Sequence, residues 1–412
     1  MKKVKLVLVL GLALVLVAAF ALPGCVVEEE VEPTGPIKVG IILPLTGAKA
    51  MFGEMEKNSF SMAYDDLGDK TTINGRKIEL LFEDGQGKPD IAKSAAEKLV
   101  HSDKVDMLSG GYSSACTFPI AGAAQTTGVP FLDSTGAADK VTTQGWEWVF
   151  RGTAAPASHY TGALFDFYDN VMHPKTTALM YENTDFGTSS ADGYRAICEA
   201  KGIEVVFDEA YEAGAVDFKP MLMKAKAANP ETCYVISYVM DASLIIKQAR
   251  ELDWNVDLFV GGAAGWTMPE FLENAKDASE YEASTTLWVP NVAWPGVSEY
   301  YNGYIAKYGK KPDYHGAQAY GTMQIIVDAL NNAKEISYEG IRQSLLEINP
   351  TTVMGPIKLE NWSDEFGHNY TNQNRPTTYV VQWQKGVLEV IWPEAAKSAN
   401  YVCPVPKWSE RK

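Results

Sequence analysis

Two stretches of the chain carry residue types suited to holding an anion. Residues 108–117 read LSGGYSSACT and residues 129–138 read VPFLDSTGAA. Each is a short apolar run that gives way to glycine and small hydroxyl residues, and then to a helix. A helix N-terminus offers backbone N–H groups without intrahelical partners, and neighbouring hydroxyls add further donors. That is chemistry for receiving a carboxylate, with no covalent step. Motifs for other chemistry are missing: the chain has no G-x-x-x-x-G-K-[ST], G-x-G-x-x-G or G-x-S-x-G. A Ser-His-Asp set built on Ser114 and His159 has no spacing to support it. No C-x-x-C or Cys/His cluster calls for a metal, and nothing calls for a cofactor.

These stretches need elements to position them. Strand-like runs at 37–43 (IKVGIIL), 77–83, 104–108 and 129–132 alternate with helical patterns at 53–67, 89–100 and 117–127. Alternation resumes after Gly152, with strands at 176–181, 203–207, 232–237 and 258–261 and helices at 187–201, 217–228 and 241–252. The last third differs: helical patterns at 296–308, 316–333 and 336–348 precede strands at 356–359, 377–383 and 387–391. Strand–helix alternation at this spacing predicts βαβ units. The fold class is therefore α/β, with two doubly wound parallel-sheet lobes and a ligand cleft between them. Open α/β sheets bind at the carboxyl ends of their strands. The loops at 44–53, 109–117, 133–137, 183–187, 238–241 and 262–267 are thus where function is expected.

The length, 412 residues, suits two or three domains. A balance of 52 acidic against 36 basic residues leaves a net charge of −16. That excludes nucleic-acid binding, which needs Lys and Arg on phosphates. Residues 1–25 read as a targeting segment: Lys2, Lys3 and Lys5, an apolar run over 6–21, then Leu22-Pro23-Gly24-Cys25. The pattern is that of a bacterial lipoprotein signal, with Cys25 lipidated after cleavage; an uncleaved anchor is the alternative. Residues 26–36 (VVEEEVEPTGP) form a tether. The chain is thus expected in the cell envelope, outside the cytoplasm (in the periplasm or on the outer face of the membrane), held by lipid. There Cys116, Cys198, Cys233 and Cys403 have three possible disulfide pairings, and the sequence does not choose.

Several stretches carry a family resemblance. They are VGIILPLTGAKAMFGEMEKNSFSMA, INGRKIELLFEDGQGKPDIAKSAAEKLV, GGYSSACTFPIAGAAQTTGVPFLDSTGAA, YENTDFGTSSADGYR and TTVMGPIKLE. Over residues 37–392 the chain resembles a type I periplasmic binding protein of the branched-chain amino-acid (Leu/Ile/Val) group, the solute receptors of ABC importers. The resemblance implies two lobes joined by three crossovers, here near 151–154, 288–290 and 359–361. Lobe one is then 37–152 plus 290–359, lobe two 153–289 plus 360–395, and 396–412 a C-terminal tail. The implied partners are a small-molecule ligand, an importer's membrane permease and the membrane; the chain acts as a monomer without catalysis. A ligand sensor for a membrane signalling partner would share these features, and a hydrolase on the same lobes is a further alternative.

Residue roles follow from the same resemblance. Ser114 receives the ligand carboxylate, though a serine there equally suits a helix N-cap. Thr135 and Ala137 contribute from the next strand edge, and Tyr112 faces the ligand or packs between lobes. Phe52 is the aromatic of the first loop. Phe186 and Tyr238 are those of the second lobe; Trp266, in the loop after the 258–261 strand, reads as a further ligand contact for a flat apolar body, or else as a crossover or lip residue. One position departs. The family's acid for a ligand ammonium, after the 258–261 strand, is replaced by Ala263. A buried ammonium without an anionic partner is costly, so either Asp241 or Asp185 substitutes or the ligand is not an α-amino acid.

Overall fold

The computed structural model describes residues 35–411. The targeting segment, Cys25 and nearly all of the tether lie outside the described residues. The run at 37–43 forms β1 (Ile37–Leu43), a buried central strand. Its Val39 and Ile41 face Leu80 and Phe82 of β3 (Arg76–Asp84) on one side, and Met107 and Ser109 of β4 (Met107–Gly110) on the other, all in parallel. Such strands are buried on both faces, which is why their sequences are continuously apolar rather than alternating. β2 (Thr72–Ile73) pairs antiparallel at the far edge of β3. Beyond β4 come β5 (Phe131–Asp133) and β6 (Val149–Arg151), also parallel. The helices of this lobe include α1 (Ala50–Leu67), α2 (Pro89–Lys98) and α3 (Ser114–Thr127).

The second lobe repeats the scheme with β7 (Thr176–Glu182), β8 (Glu204–Tyr211), β9 (Thr232–Ile236), β10 (Leu258–Gly261) and β11 (Ala283–Thr286). Between and beside them run α4 (Gly162–Phe167), α5 (Asp185–Lys201), α6 (Lys219–Ala227), α7 (Val239–Glu251) and α8 (Pro269–Ala275). The chain then returns to the first lobe through α9 (Val297–Tyr308), α10 (Tyr314–Asn332) and α11 (Tyr338–Glu347). Ser59 on α1 meets the Tyr300 hydroxyl on α9 at 2.9 Å, and the Tyr338 hydroxyl donates to Val105 O at 3.2 Å. A small hairpin, β12 (Thr351–Thr352) with β13 (Gly355–Pro356), replaces the strand expected at 356–359.

The return to the second sheet comes later than expected. β14 (Glu360–Ser363) and β15 (Asn369–Gln373) extend the first sheet, with Gln373 in register with Arg151 of β6. The third passage between sheets therefore lies at 374–378, not at 359–361, and 360–373 belong with the first sheet. This edge hairpin is polar (ENWS, NYTNQ) and lacks the apolar run that marks the buried strands. β16 (Tyr379–Gln384) then joins the second sheet antiparallel to β11, and β17 (Val387–Trp392) pairs antiparallel with β16 at its edge. Residues 396–411 pack on the second lobe: Trp408 Nε1 donates to Trp254 O at 2.7 Å, and Arg411 pairs with buried Glu282 at 2.7 Å. Cys116, Cys198, Cys233 and Cys403 are all free thiols.

Candidate functional site

The turn after β4 is shaped by glycine. Gly110 and Gly111 have φ of 94° and 101°, and a Cβ on Gly110 would lie 2.3 Å from Ile42 O. The turn brings Tyr112 and Ser113 to the cleft and starts α3 at Ser114. Ser114 Oγ accepts from the backbone N–H of Ala137 (3.1 Å) and Ala138 (3.0 Å), tying the two anion-binding stretches together. Asp133 accepts from Thr135 N at 3.2 Å and Gly136 N at 2.8 Å; burial pushes its carboxyl up to about 7. Buried Arg151 holds the same loop from behind, donating to Gly136 O (2.9 Å), Ala138 O (3.0 Å) and Gln373 Oε1 (2.5 Å). Thr135 Oγ1 donates to Glu56 at 3.2 Å, and Ser134 Oγ at 3.1 Å. Glu56 is completely buried, which raises its pKa well above the ordinary carboxyl range and favours the neutral form.

A second cation stands on the cleft side of these groups. Lys49 Nζ donates to Ser113 Oγ at 2.8 Å and lies 4.4 Å from the ring centroid of Tyr238 on the other lobe. Burial lowers its pKa, while the charge of Glu182 opposes that. Glu182, at the end of β7, is buried and pushed up to about 7; Thr184 donates to its Oε1 at 2.5 Å and its Oε2 has no hydrogen-bond partner among the described residues.

The second-lobe face is aromatic. Phe186, in the first turn of α5, lies 5.7 Å from Tyr238, which precedes α7. Tyr112 stacks on Phe52 at 4.6 Å and meets Tyr238 edge-on at 6.0 Å. The loop after β10 passes close by. Ala263 and Ala264 adopt φ of 59° and 44°, a conformation rare for residues with a Cβ. A Cβ on Gly265 would lie 2.0 Å from Val239 N, so the loop presses on the start of α7. Ala264 N donates to the Tyr314 hydroxyl at 2.8 Å, and beside it His315 Nδ1 lies 2.9 Å from Asp313 Oδ2.

Between these faces lies a space of about 20 Å³. Tyr112, Ser114, Thr135, Ala137, Phe186 and Tyr238 line it, so six of the expected residues are brought together. Phe52 stands one layer back, behind Tyr112. Trp266, expected to touch the ligand, does not line this space. It is fully buried, donates from Nε1 to Ser237 Oγ at 2.8 Å, packs 5.1 Å from Phe271, and fills the space over Gly261. An indole this large in the core serves packing. The expected substitutes for the missing acid also point elsewhere: Asp241 accepts from Gly214 N at 3.0 Å and Asp185 pairs with Lys140 at 2.8 Å.

Reading the sequence missed Lys49, Ser113, Tyr160, Tyr314 and His315. Lys49 had a signal, as the single charged residue in the 44–53 loop. Tyr314 and His315 had none, because the distant return of α10 brings them to the cleft. No lining residue is acidic, and the Tyr112 hydroxyl is buried without a partner among the described residues. No group of three metal-ligating side chains occurs among the described residues. The arrangement can receive an anionic head on Ser113, Ser114, Tyr112 and Lys49 and an apolar body against Phe186 and Tyr238.

Comparison with known proteins agrees with the two-lobed α/β fold. The family described as periplasmic binding protein matches residues 36–387. The Leu/Ile/Val-binding protein homolog 7 of Brucella suis biovar 1 (strain 1330) is 26% identical over 384 residues, covering 89% of this chain and 94% of its own. The branched-chain amino acid transporter substrate binding protein LivJ from Streptococcus pneumoniae, solved with isoleucine, superposes with a TM-score of 0.75 at 24% identity, covering 87% of this chain and all (100%) of the other. A solute binding protein of an ABC transporter from Rhodopseudomonas palustris BisB5, solved with 3,4-dihydroxy benzoic acid, gives 0.73 at 20% identity over 90% and 99%.

Proposed function

The chain belongs to the periplasmic binding proteins, in the type I branched-chain amino-acid group of solute receptors, and from that membership we propose that it captures a flat organic acid and delivers it to an ABC importer. The site works outside the cytoplasm, and the lobes close over the ligand as over a hinge. Lipidation of Cys25 tethers the receptor beside its permease. One observation carries the choice of ligand: a cation, Lys49, stands at the site and no acidic residue lines it. A carboxylate gains charge-assisted hydrogen bonds there, whereas an ammonium would be buried unpaired. Phe186 and Tyr238 suit an aromatic or similarly flat body. Relatives of this fold hold both isoleucine and 3,4-dihydroxybenzoate, so the scaffold admits either class.

The test is thermal stabilisation with benzoate, 3,4-dihydroxybenzoate, leucine and isoleucine, together with native mass spectrometry of co-purified ligand. A ligand at about 100 times Kd stabilises by about 2.7 kcal/mol. Aromatic acids that stabilise while the amino acids do not are the expected result; the reverse order overturns it. A second reading rests on the unpartnered Oε2 of Glu182, which would hold the ammonium of an α-amino acid. Leucine stabilisation that disappears in Glu182→Gln would establish that reading.

A further inference from the structure

One residue lining the cleft carries a polar atom that no described residue answers. His315, in the first turn of α10, borders the same space as Tyr112, Ser114 and Tyr238. Aromatic rings hold its imidazole on three sides, with centroids at 4.0 Å (Tyr314), 5.0 Å (Phe52) and 5.3 Å (Tyr112). Asp313 fixes the ring further. Its Oδ1 accepts from the His315 backbone N–H at 2.9 Å, and its Oδ2 lies 2.9 Å from Nδ1. A carboxylate on Nδ1 places a proton there and leaves Nε2 as the nitrogen available to something else.

That nitrogen is reachable. His315 is 3% exposed, and Nε2 has no hydrogen-bond partner among the described residues, yet it is not one of the unpartnered atoms sealed from water. The open space that His315 lines is the cleft. The ring of His159, by contrast, has its Nε2 engaged with Pro376 O at 3.2 Å.

We propose that His315 selects, among flat organic acids, those that carry a hydroxyl group, which pairs with Nε2. The inference rests on the proposed function and adds a second polar group that the ligand must have. A hydroxyl suits Nε2 in either protonation state: it donates to the lone pair of the neutral ring and accepts from the N–H of the charged one. A hydrogen or methyl at the same place leaves Nε2 without a partner once the lobes close and water is displaced.

The test is calorimetry on the mature chain with benzoate, 3- and 4-hydroxybenzoate, and 3- and 4-methylbenzoate, whose methyl groups are close to a hydroxyl in size. At least one hydroxybenzoate should bind about tenfold more tightly than the methylbenzoate substituted at the same position. In His315→Phe that ratio should fall to about one. With ¹⁵N-labelled histidine, the favoured hydroxybenzoate should move the His315 Nε2 resonance, assigned by its loss in His315→Phe, further than benzoate does. The wild-type affinities decide the matter even where the variant does not fold. A ratio near one at both ring positions, a ratio that persists in folded His315→Phe, or an unmoved Nε2 resonance overturns this inference and leaves the carboxylate reading in place. Failure of every aromatic acid to bind overturns that reading, and this inference with it.

Discussion

The two walls of the cleft hold their shape by different means. The first-lobe wall is a hydrogen-bonded construction: Ser114, Asp133 and Arg151 each bind backbone atoms of the 135–138 loop, and Glu56 receives Ser134 and Thr135. The second-lobe wall is a packed one: Phe186 packs on Tyr238, the loop at 263–265 presses on the start of α7, and the buried Trp266 indole fills the space over Gly261. A hydrogen-bonded wall fixes donor positions to within a fraction of an ångström, as recognition of a charged head requires. A packed wall sets shape and volume. On the proposed function, the head of the ligand belongs to the first-lobe wall and its body to the second.

The sharpest way to break this contrast is Trp266. Trp266→Ala should destabilise the protein by roughly 3–5 kcal/mol, the usual cost of emptying a large aromatic site. Chemical denaturation measures it, and a near-neutral result would mean that the indole is not a packing element. Next is Glu182, whose folded pKa of about 7 stands above the ordinary 4.5. Its stabilising contribution is complete below pH 4.5 and is lost as pH rises through 7. Wild type should therefore lose about 3 kcal/mol relative to Glu182→Gln across that window. Denaturation midpoints that run parallel from pH 4.5 to 7.5 would refute the assignment.

Effects on binding follow. On the proposed function, Lys49→Ala removes a charged partner of the ligand head and should weaken carboxylate binding by about 10- to 100-fold in calorimetry. Ser114→Ala should weaken it too, and also lower stability by about 1–3 kcal/mol, because two buried N–H groups lose their acceptor. A Lys49→Ala variant that binds benzoate like wild type would remove the polar wall's role. The smallest effect is Phe186→Ala, a loss of about 1 kcal/mol or roughly fivefold in affinity. It should grow with the aromatic surface of the ligand, and equal losses for acetate and benzoate would contradict a packed wall.

Much of the lower first lobe was legible because its signals are local. Continuous apolar runs such as IKVGIIL become central strands wherever they fall, since only double-sided burial removes their surface from water. The glycines and hydroxyls after β4 and β5 likewise announced a turn and a helix start. The edge hairpin at 360–373 was not legible, because it is polar and is held by pairing with β6, far away in the chain. Trp266 illustrates the same limit. An indole in a loop at the carboxyl end of a strand looks like a ligand contact until the space over Gly261 is seen to need filling.

The sequence by itself thus determined the alternation of strands and helices, the two lobes and the turn of glycines and hydroxyls that ends at Ser114, all of which rest on periodicity and backbone chemistry within short windows. Only the tertiary structure decided what faces that edge. Lys49, Tyr238 and the pair Tyr314–His315 come from three separate segments, and their convergence depends on how α10 returns to the first lobe and how the lobes meet. Long-range packing sets those relations, and no window of sequence contains them.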